Sequence, residues 1–573
     1  MFLGGDVPFG LTGKAVAPIL RGCALEETVE GTGIQTGRNP NRKLTPMNID
    51  YCTLGAFLGY LALMLGIGAF FSAKADSLST YFLGGRKMNK WVVALSAQAS
   101  DMSGWLLMGL PGAIFLGGFS EVWIGIGLLI GTYLNWKIVA RRLRIYSHVC
   151  KDSITIPDFL SNRFRDPIGI SRWIAALVIL VFFTPYTASG FVAAAKLFTA
   201  TFGIPYLPAL WIGAAVVLAY TLLGGYMAVC WTDFIQGSLM FIAIVLVPAM
   251  VIFAAGGFTA AVNNLNEVNP YLLNLFANAK SQAAMGMVPL LSNLAWGLGY
   301  FGMAHILVRF MSIDSPLAVK GSRRIAMTWV TISLAAAAAI GLFGHLFLAQ
   351  HPAMAEAVQG DPEKIFIIMI NTIFGGSVLS RIFAGVLLSS ILAAIMSTAD
   401  SQLLVSASSF SADIYKHAIR KNAGDKELVV VSRLTVLAVA IVAAIMASNQ
   451  ESEFFKVVMQ MVSFAWAGFG AAFGPVILLA LFWKRCNLGG AIAGMVVGAV
   501  TVFVWKLWVN PTFGPSNEWF TLYELAPGFV AGFLATWLGS LLTPAPSAEI
   551  VGEFEKAAQM DNGPKLEAET VNL

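Results

Sequence analysis

Apolar residues run through this chain in long unbroken stretches, separated by short joints rich in Gly, Pro, Lys and Arg. Continuous apolar runs, without the period-two alternation of a barrel strand, predict helices, and about 20 such residues cross the ~30 Å hydrocarbon core of a bilayer. The pattern predicts thirteen spans, near 51–72, 90–115, 119–139, 170–202, 207–224, 232–255, 285–311, 325–349, 380–413, 428–448, 456–483, 488–508 and 523–543. The fold class expected is therefore an all-α polytopic membrane protein. An odd count puts the two ends of the chain on opposite sides of the membrane.

The placement of Lys and Arg supplies the orientation, because loops on the cytoplasmic side carry the excess of positive charge. The loops after spans one, three, seven, nine and eleven hold Arg86, Lys87 and Lys90, then Arg141, Arg142 and Arg144, then Lys320, Arg323 and Arg324, then Lys416, Arg420 and Lys421, then Lys484 and Arg485. The intervening loops are nearly devoid of both. The N-terminus is expected outside, and residues 544–573 are expected in the cytoplasm as a disordered or short helical end.

Two spans break the helical rule. An unpaired backbone group inside a bilayer costs several kcal/mol, so irregular backbone persists only where it lines a cavity or holds a ligand. The second span is interrupted at Ala97–Trp105 around Asp101, and the seventh at Trp296–Gly302, with three glycines in a short stretch. The two lie five spans apart, as corresponding members of two repeats at about 90–255 and 285–483 would. Paired interruptions of this kind point to a central binding site, where exposed half-helix amino ends receive a carboxylate and freed carbonyls hold a cation. The expected cargo is a small zwitterion or anion together with a cation. Asp101 is a costly residue at membrane depth and marks function. The ninth span adds Ala394, Ser397, Thr398, Asp400 and Ser401, oxygen-bearing groups suited to a hard cation, although Ser and Thr also bond back to their own helix. For Gly127 and Gly131, and for Gly470 and Gly474, close helix packing is the expected role.

Composition agrees: 57% of the 573 residues are hydrophobic and 12% charged, against roughly 25% charged in soluble domains. The net charge of +5 does not indicate nucleic-acid binding, and five scattered cysteines read as unpaired thiols. No Walker loop, His-Glu-x-x-His or Gly-x-Ser-x-Gly pattern occurs, so an ATP-driven pump and the corresponding membrane enzymes are not the expectation.

The segments SAQASDMSGWLLMGLPGAIFLGG, WTDFIQGSLM, WGLGYFG, RRIAMTW, LSSILAAIMST and AWAGFGAAFGP resemble the solute:sodium symporter family, and the resemblance runs from about Met47 to 543. It implies a LeuT-like core of two inverted five-helix repeats, flanked by one helix before and two after. It implies sodium-driven uptake of L-proline across a bacterial inner membrane, with no obligate protein partner. Another small solute is the alternative; a proline sensor would need an output domain larger than the tail after 543.

By motif position the resemblance implies a sodium (Na+) site of the carbonyls of Ala99, Met102 and Ala394 with the hydroxyls of Ser397 and Thr398, supported by Asp101. It implies substrate contacts at Ser103, Gly104, Trp105, Tyr186, Trp296 and Tyr300, and places Arg86 on the cytoplasmic ion pathway. An aromatic box suits a pyrrolidine ring, which is apolar and flat. Asp233 and Asp400 are either a second cation subsite or structural partners of nearby hydroxyls, the latter being the favoured reading. Proline-transporting members often carry Pro before the His that follows the seventh-span glycines; here Met303 and Ala304 precede His305. Residues 1–46 hold no span and no signal-like apolar core, and Met47 is the expected start.

Overall fold

The computed structural model of the chain describes residues 50–72, 78–222 and 224–562. The expected extension at 1–46 and start at Met47 lie outside the described residues. Helices follow the apolar runs closely. They are α1 (Tyr51–Ser72), α2 (Lys90–Asp101), α3 (Leu110–Gly117), α4 (Val122–Leu134), α5 (Ala140–Val149), α6 (Ile156–Arg163), α7 (Ile170–Phe202), α8 (Tyr206–Thr221), α9 (Tyr226–Ala254), α10 (Met287–Ala295), α11 (Ala304–Ser312) and α12 (Val319–Gln350). After these come α13 (Ile365–Ile373), α14 (Val378–Ser408), α15 (Asp425–Ser448), α16 (Val458–Phe482), α17 (Leu488–Val504), α18 (Leu525–Leu542) and α19 (Ala548–Asn562).

Among the described residues, ten helices are long and apolar enough to cross a membrane, or eleven if the bent pair Met287–Phe301 and Ala304–Ser312 counts as one crossing. Thirteen were expected. The shortfall has a physical cause, because the missing elements are too short: α2 is 12 residues long and stops at the break, and α8 is 16. Conversely, Trp105–Val149 forms one continuous stretch of 45 residues. At 1.5 Å per residue that exceeds any bilayer, so it must turn back, and it does so at Gly118. There φ is 77° and a Cβ would lie 2.8 Å from Ala279 Cβ. Only glycine meets both demands.

Two ionic clamps sit at opposite ends of the bundle. At one end Arg86, 9% exposed with φ of 57°, donates to Asp152 Oδ1 at 2.8 Å, Met311 O at 2.7 Å, Ser153 O at 2.8 Å and Ser147 Oγ at 3.2 Å. At the other, Lys196 near the far end of α7 meets Glu363 at 2.6 Å and Asp361 at 2.9 Å. The Glu363 carboxylate also accepts from the backbone N–H groups of Val458 and Met459, both at 3.1 Å, so it caps the amino end of α16.

The tail after 543 ends in a docked helix. Phe554 of α19 lies beneath the guanidinium groups of Arg142 and Arg163, at 5.1 and 5.6 Å, and Arg165 meets Glu549 and Glu553 at 2.8 and 2.5 Å. Of the five thiols, Cys52, Cys150, Cys230 and Cys486 are free, and Cys23 lies outside the described residues.

Candidate functional site

The second-span break frees its carbonyls in a definite order. In an uninterrupted helix the Ala99 carbonyl would accept from the Ser103 N–H, but that N–H turns to Asp101 O at 3.1 Å. Met102, with ψ of 73°, ends α2. The released Ala99 carbonyl instead accepts from Ser397 Oγ at 2.8 Å and Thr398 Oγ1 at 3.4 Å of α14, and Ser397 Oγ also reaches Ala394 O at 3.2 Å. Ala99, Ala394, Ser397 and Thr398 therefore bring their oxygens together, with Met102 three residues beyond Ala99 at the end of the half-helix. Oxygen ligands without a carboxylate in their midst suit a monovalent hard cation. Among the described residues no cluster of three His, Cys, Asp or Glu forms that would suit a transition metal.

Asp101 stands at the same break. Its Oδ2 accepts from Tyr300 OH at 2.6 Å, which joins the second-span break to the seventh. Its backbone carbonyl accepts from Trp105 Nε1 at 3.0 Å and Tyr186 OH at 3.4 Å. Its Oδ1 is buried with no hydrogen-bond partner among the described residues. A buried carboxylate oxygen left open costs free energy unless a ligand uses it.

The expected substrate residues gather around this point. Trp105, Tyr186 and Tyr300 are each 1% exposed, so all three side chains are buried in the bundle. Ser103 Oγ accepts from the Trp105 N–H at 3.3 Å and holds the turn that opens the second half of the span. Gly104 backs onto α7, where a Cβ would lie 2.9 Å from Ala193 Cβ. Trp296 is set a little apart: its ring stacks on Tyr523 at 5.3 Å, and its carbonyl accepts from Trp466 Nε1 at 2.7 Å.

The glycines outside the breaks grip the seventh span. A Cβ on Gly131 would fall on the Gly297 carbonyl oxygen, and one on Gly127 would lie 2.6 Å from Leu294 O. On the other side a Cβ at Gly470 would lie 2.8 Å from Gly299 Cα, and one at Gly474 would lie 3.5 Å from Phe301 Cβ. The small residues of α4 and α16 thus let both helices close on the irregular stretch, while Asn135 and Trp466 satisfy the carbonyls of Tyr300 and Trp296.

Asp233 and Asp400 belong to a neighbouring buried network. Asp233 Oδ2 accepts from Ser96 at 2.7 Å, Ser100 at 3.1 Å and the Arg309 guanidinium at 3.2 Å, and Arg309 also bonds Ser401. Ser401 Oγ donates to Asp400 Oδ1 at 3.2 Å. The positive charge in this network is therefore built in. Sequence reasoning did not single out Arg309, although a buried arginine within the seventh span, near its end, carried the same kind of signal as Asp101.

Two helices broken at matched positions, with a carboxylate, freed carbonyls and hydroxyls at the breaks, define a cation-coupled secondary transporter. A family model described as the sodium:solute symporter family matches residues 81–498, and the chain belongs to that family. It is 46% identical to the sodium/proline symporter of Salmonella typhimurium over 532 residues, covering 92% of this chain and 99% of that one. It is 46% identical to the Escherichia coli sodium/proline symporter, covering 90% and 96%, and 48% identical to the high-affinity proline transporter PutP of Bacillus subtilis, covering 86% and 98%. Among solved structures it resembles a Na+-coupled sialic acid symporter in its substrate-bound outward-open state, with a TM-score of 0.69 at 20% identity, covering 87% of this chain and 99% of that one. It also resembles MHP1, a nucleobase-cation-symport-1 transporter, with a TM-score of 0.50 at 14% identity over 84% and 99%.

Proposed function

We propose that this sodium-coupled symporter takes up L-proline across a bacterial inner membrane, with its N-terminus outside and its C-terminus in the cytoplasm. Sodium sits among the carbonyls of Ala99, Met102 and Ala394 and the hydroxyls of Ser397 and Thr398, with Asp101 supporting it through the half-helix end. Proline lies against Trp105, Tyr186, Trp296 and Tyr300, its carboxylate towards the Ser103–Gly104 turn. Asp233 and Asp400 are structural partners of Arg309 in this reading, and Arg86 gates the cytoplasmic ion path. The observation that carries the reading is the Ser397–Ala99 contact across the break, next to a carboxylate that holds Tyr300. The names of the relatives support proline, and the alternation of Lys and Arg supports the orientation.

The mechanism follows from that geometry. A cation drawn into the Ala99 oxygens ties α2 to α14 and fixes the turn at Ser103–Trp105. Each ligand then raises the affinity for the other by the same factor, as linkage requires. Entry of one charge gains about 2.3 kcal/mol per 100 mV of membrane potential. Release needs the Arg86 clamp to open while the Lys196–Glu363 clamp stays shut.

Uptake of radiolabelled L-proline into proteoliposomes, with and without an inward sodium gradient, tests the proposal. Gradient-driven accumulation that Asp101→Ala abolishes is the expected result. Gradient-driven transport of other small solutes but not of proline would move the substrate and keep the ion site.

A further inference from the structure

Away from the transport site, a cavity of about 410 Å³ opens to the surface at the start of α2, lined in part by Lys90, Trp91, Trp231, Phe234, Asp314 and Ala318. Its walls are aromatic: Trp91 is 54% accessible, Trp231 and Phe234 are half-buried, and Trp231 stacks on Phe71 at 6.1 Å. Its rim is cationic. Gly321 packs on the Lys90 side chain, where a Cβ would lie 3.2 Å from Lys90 Cδ, and Ser322 Oγ donates to Lys90 O at 2.9 Å. These contacts bring the first two turns of α12, with Lys320, Arg323 and Arg324, beside Lys90, and Lys87 lies just before Lys90 in the chain. Lys87, Lys90, Lys320 and Arg324 are all exposed.

Among the described residues lining the cavity, Asp314 alone is acidic, and it sits at the amino end of the turn leading into α12, where it complements the helix dipole. A second surface cavity of about 400 Å³ on the same side is also lined by basic residues, but there Arg165 is taken up by Glu549 and Glu553, and Arg172 by Asp158. The first cavity thus combines a cationic rim, whose Lys87, Lys90, Lys320 and Arg324 form no ion pair among the described residues, with an aromatic wall at the end of the bundle, the combination that selects an anionic amphiphile over a zwitterionic one.

We propose that this cavity binds the headgroup of an anionic phospholipid of the phosphatidylglycerol type. The phosphate faces Lys90 and Lys320, and the upper acyl chains lie along Trp91, Trp231 and Phe234. Bound there, the lipid bridges the first turn of α2, whose last turn carries Ala99 and Asp101, to the start of α12. The inference needs the membrane placement of this chain but not its substrate, and its readout uses neither proline nor sodium.

The test is native mass spectrometry of the intact protein released from nanodiscs of equimolar phosphatidylglycerol and phosphatidylcholine. The wild type is expected to retain phosphatidylglycerol preferentially. Lys90→Gln combined with Lys320→Gln should reduce that preference by about fivefold per lysine removed. Lys90→Arg keeps the charge and should keep the preference, which separates lost charge from misfolding. Lys151→Gln with Lys421→Gln removes the same charge at the second cavity and should leave the preference unchanged. Equal retention of both lipids by the wild type, or an equal loss in the Lys151/Lys421 pair, would overturn the proposal.

Discussion

Asp101 accepts one strong hydrogen bond from Tyr300 and leaves its other oxygen open inside the protein. Hydrogen bonds to charged groups contribute about 1.5–3 kcal/mol, so Tyr300→Phe should raise the proline KM by roughly tenfold or more. A smaller effect on the sodium requirement is expected, measured as uptake against sodium concentration at fixed proline. Ser397→Ala deletes a hydroxyl that reaches both Ala99 and Ala394. It should shift the sodium dependence to higher concentration by about tenfold, leaving proline KM at saturating sodium nearly unchanged. If both parameters moved together in both variants, the division into ion and substrate residues would fail. At this scale the sequence exposed Asp101, because a carboxylate in an apolar run stands out. It could not show that Tyr300 is its partner, since the two are 199 positions apart in the chain and no local pattern links them.

The breaks are properties of elements, and they depend on what packs around them. Gly131 is where α4 crosses the seventh-span break, and an added methyl would overlap the Gly297 carbonyl. Overpacking of this kind costs typically 1–3 kcal/mol, so Gly131→Ala should lower the thermal midpoint in detergent and the yield of folded protein. Gly55, with open space around it, is the matched control: Gly55→Ala should have no such effect. The opposite case occurs at Ala304, the first residue of α11, preceded by Met303 with φ of −71° and ψ of 98°. That is the position where a helix accepts proline, after a residue already in the extended conformation proline requires. Ala304→Pro should therefore fold and transport, with stability raised by about 0.4–1 kcal/mol, read as a higher thermal midpoint. A fall in the midpoint would show that neighbouring side chains, rather than the backbone, decide this position. The apolar runs predicted the helices and their interruptions well, because hydropathy and glycine content are local. They overcounted the full-length crossings, because a run does not reveal where its helix stops; α2 stops at Asp101 for reasons that lie partly in α14.

Two ionic clamps tie helices together at the two ends of the bundle, and each gives a prediction. Glu363 receives Lys196 and two backbone N–H groups of α16. Glu363→Gln keeps the shape but removes the charge, and should slow transport and lower the thermal midpoint, while Asp361→Asn, whose carboxylate meets Lys196 and Lys364 but caps no helix, should do less. At the other end, partial burial of Asp152 works to raise its pKa, but Arg86 and His148 outweigh that and hold it below the ordinary 3.8. Such a group contributes stability above the unfolded-state pKa and loses it as pH falls through the lower folded value. The clamp's carboxylate is thus ionised from pH 5 upward, so Asp152→Asn should lower the thermal midpoint at pH 5 as well as at pH 8. A difference that vanished at pH 5 would mean that Asp152 already carries a proton there. The expected tail became a docked helix because Phe554, Glu549 and Glu553 find three arginines, Arg142, Arg163 and Arg165, on the end of the bundle, a match that exists only once α5 and α6 are in place.

By itself the sequence determined the helical membrane class, the breaks in the second and seventh spans, and the charge, hydroxyl and aromatic groups at those breaks. Each depends on hydropathy, on backbone freedom or on the cost of a polar group in an apolar run, all readable within a few residues. Only the tertiary structure decided which groups meet: Ser397 with Ala99, Tyr300 with Asp101, Arg309 with Asp233, and Glu363 with the amino end of α16. Those partners lie tens to hundreds of positions apart, and they are chosen by how the helices pack, because each buried polar group must find its partner in a medium that offers no water.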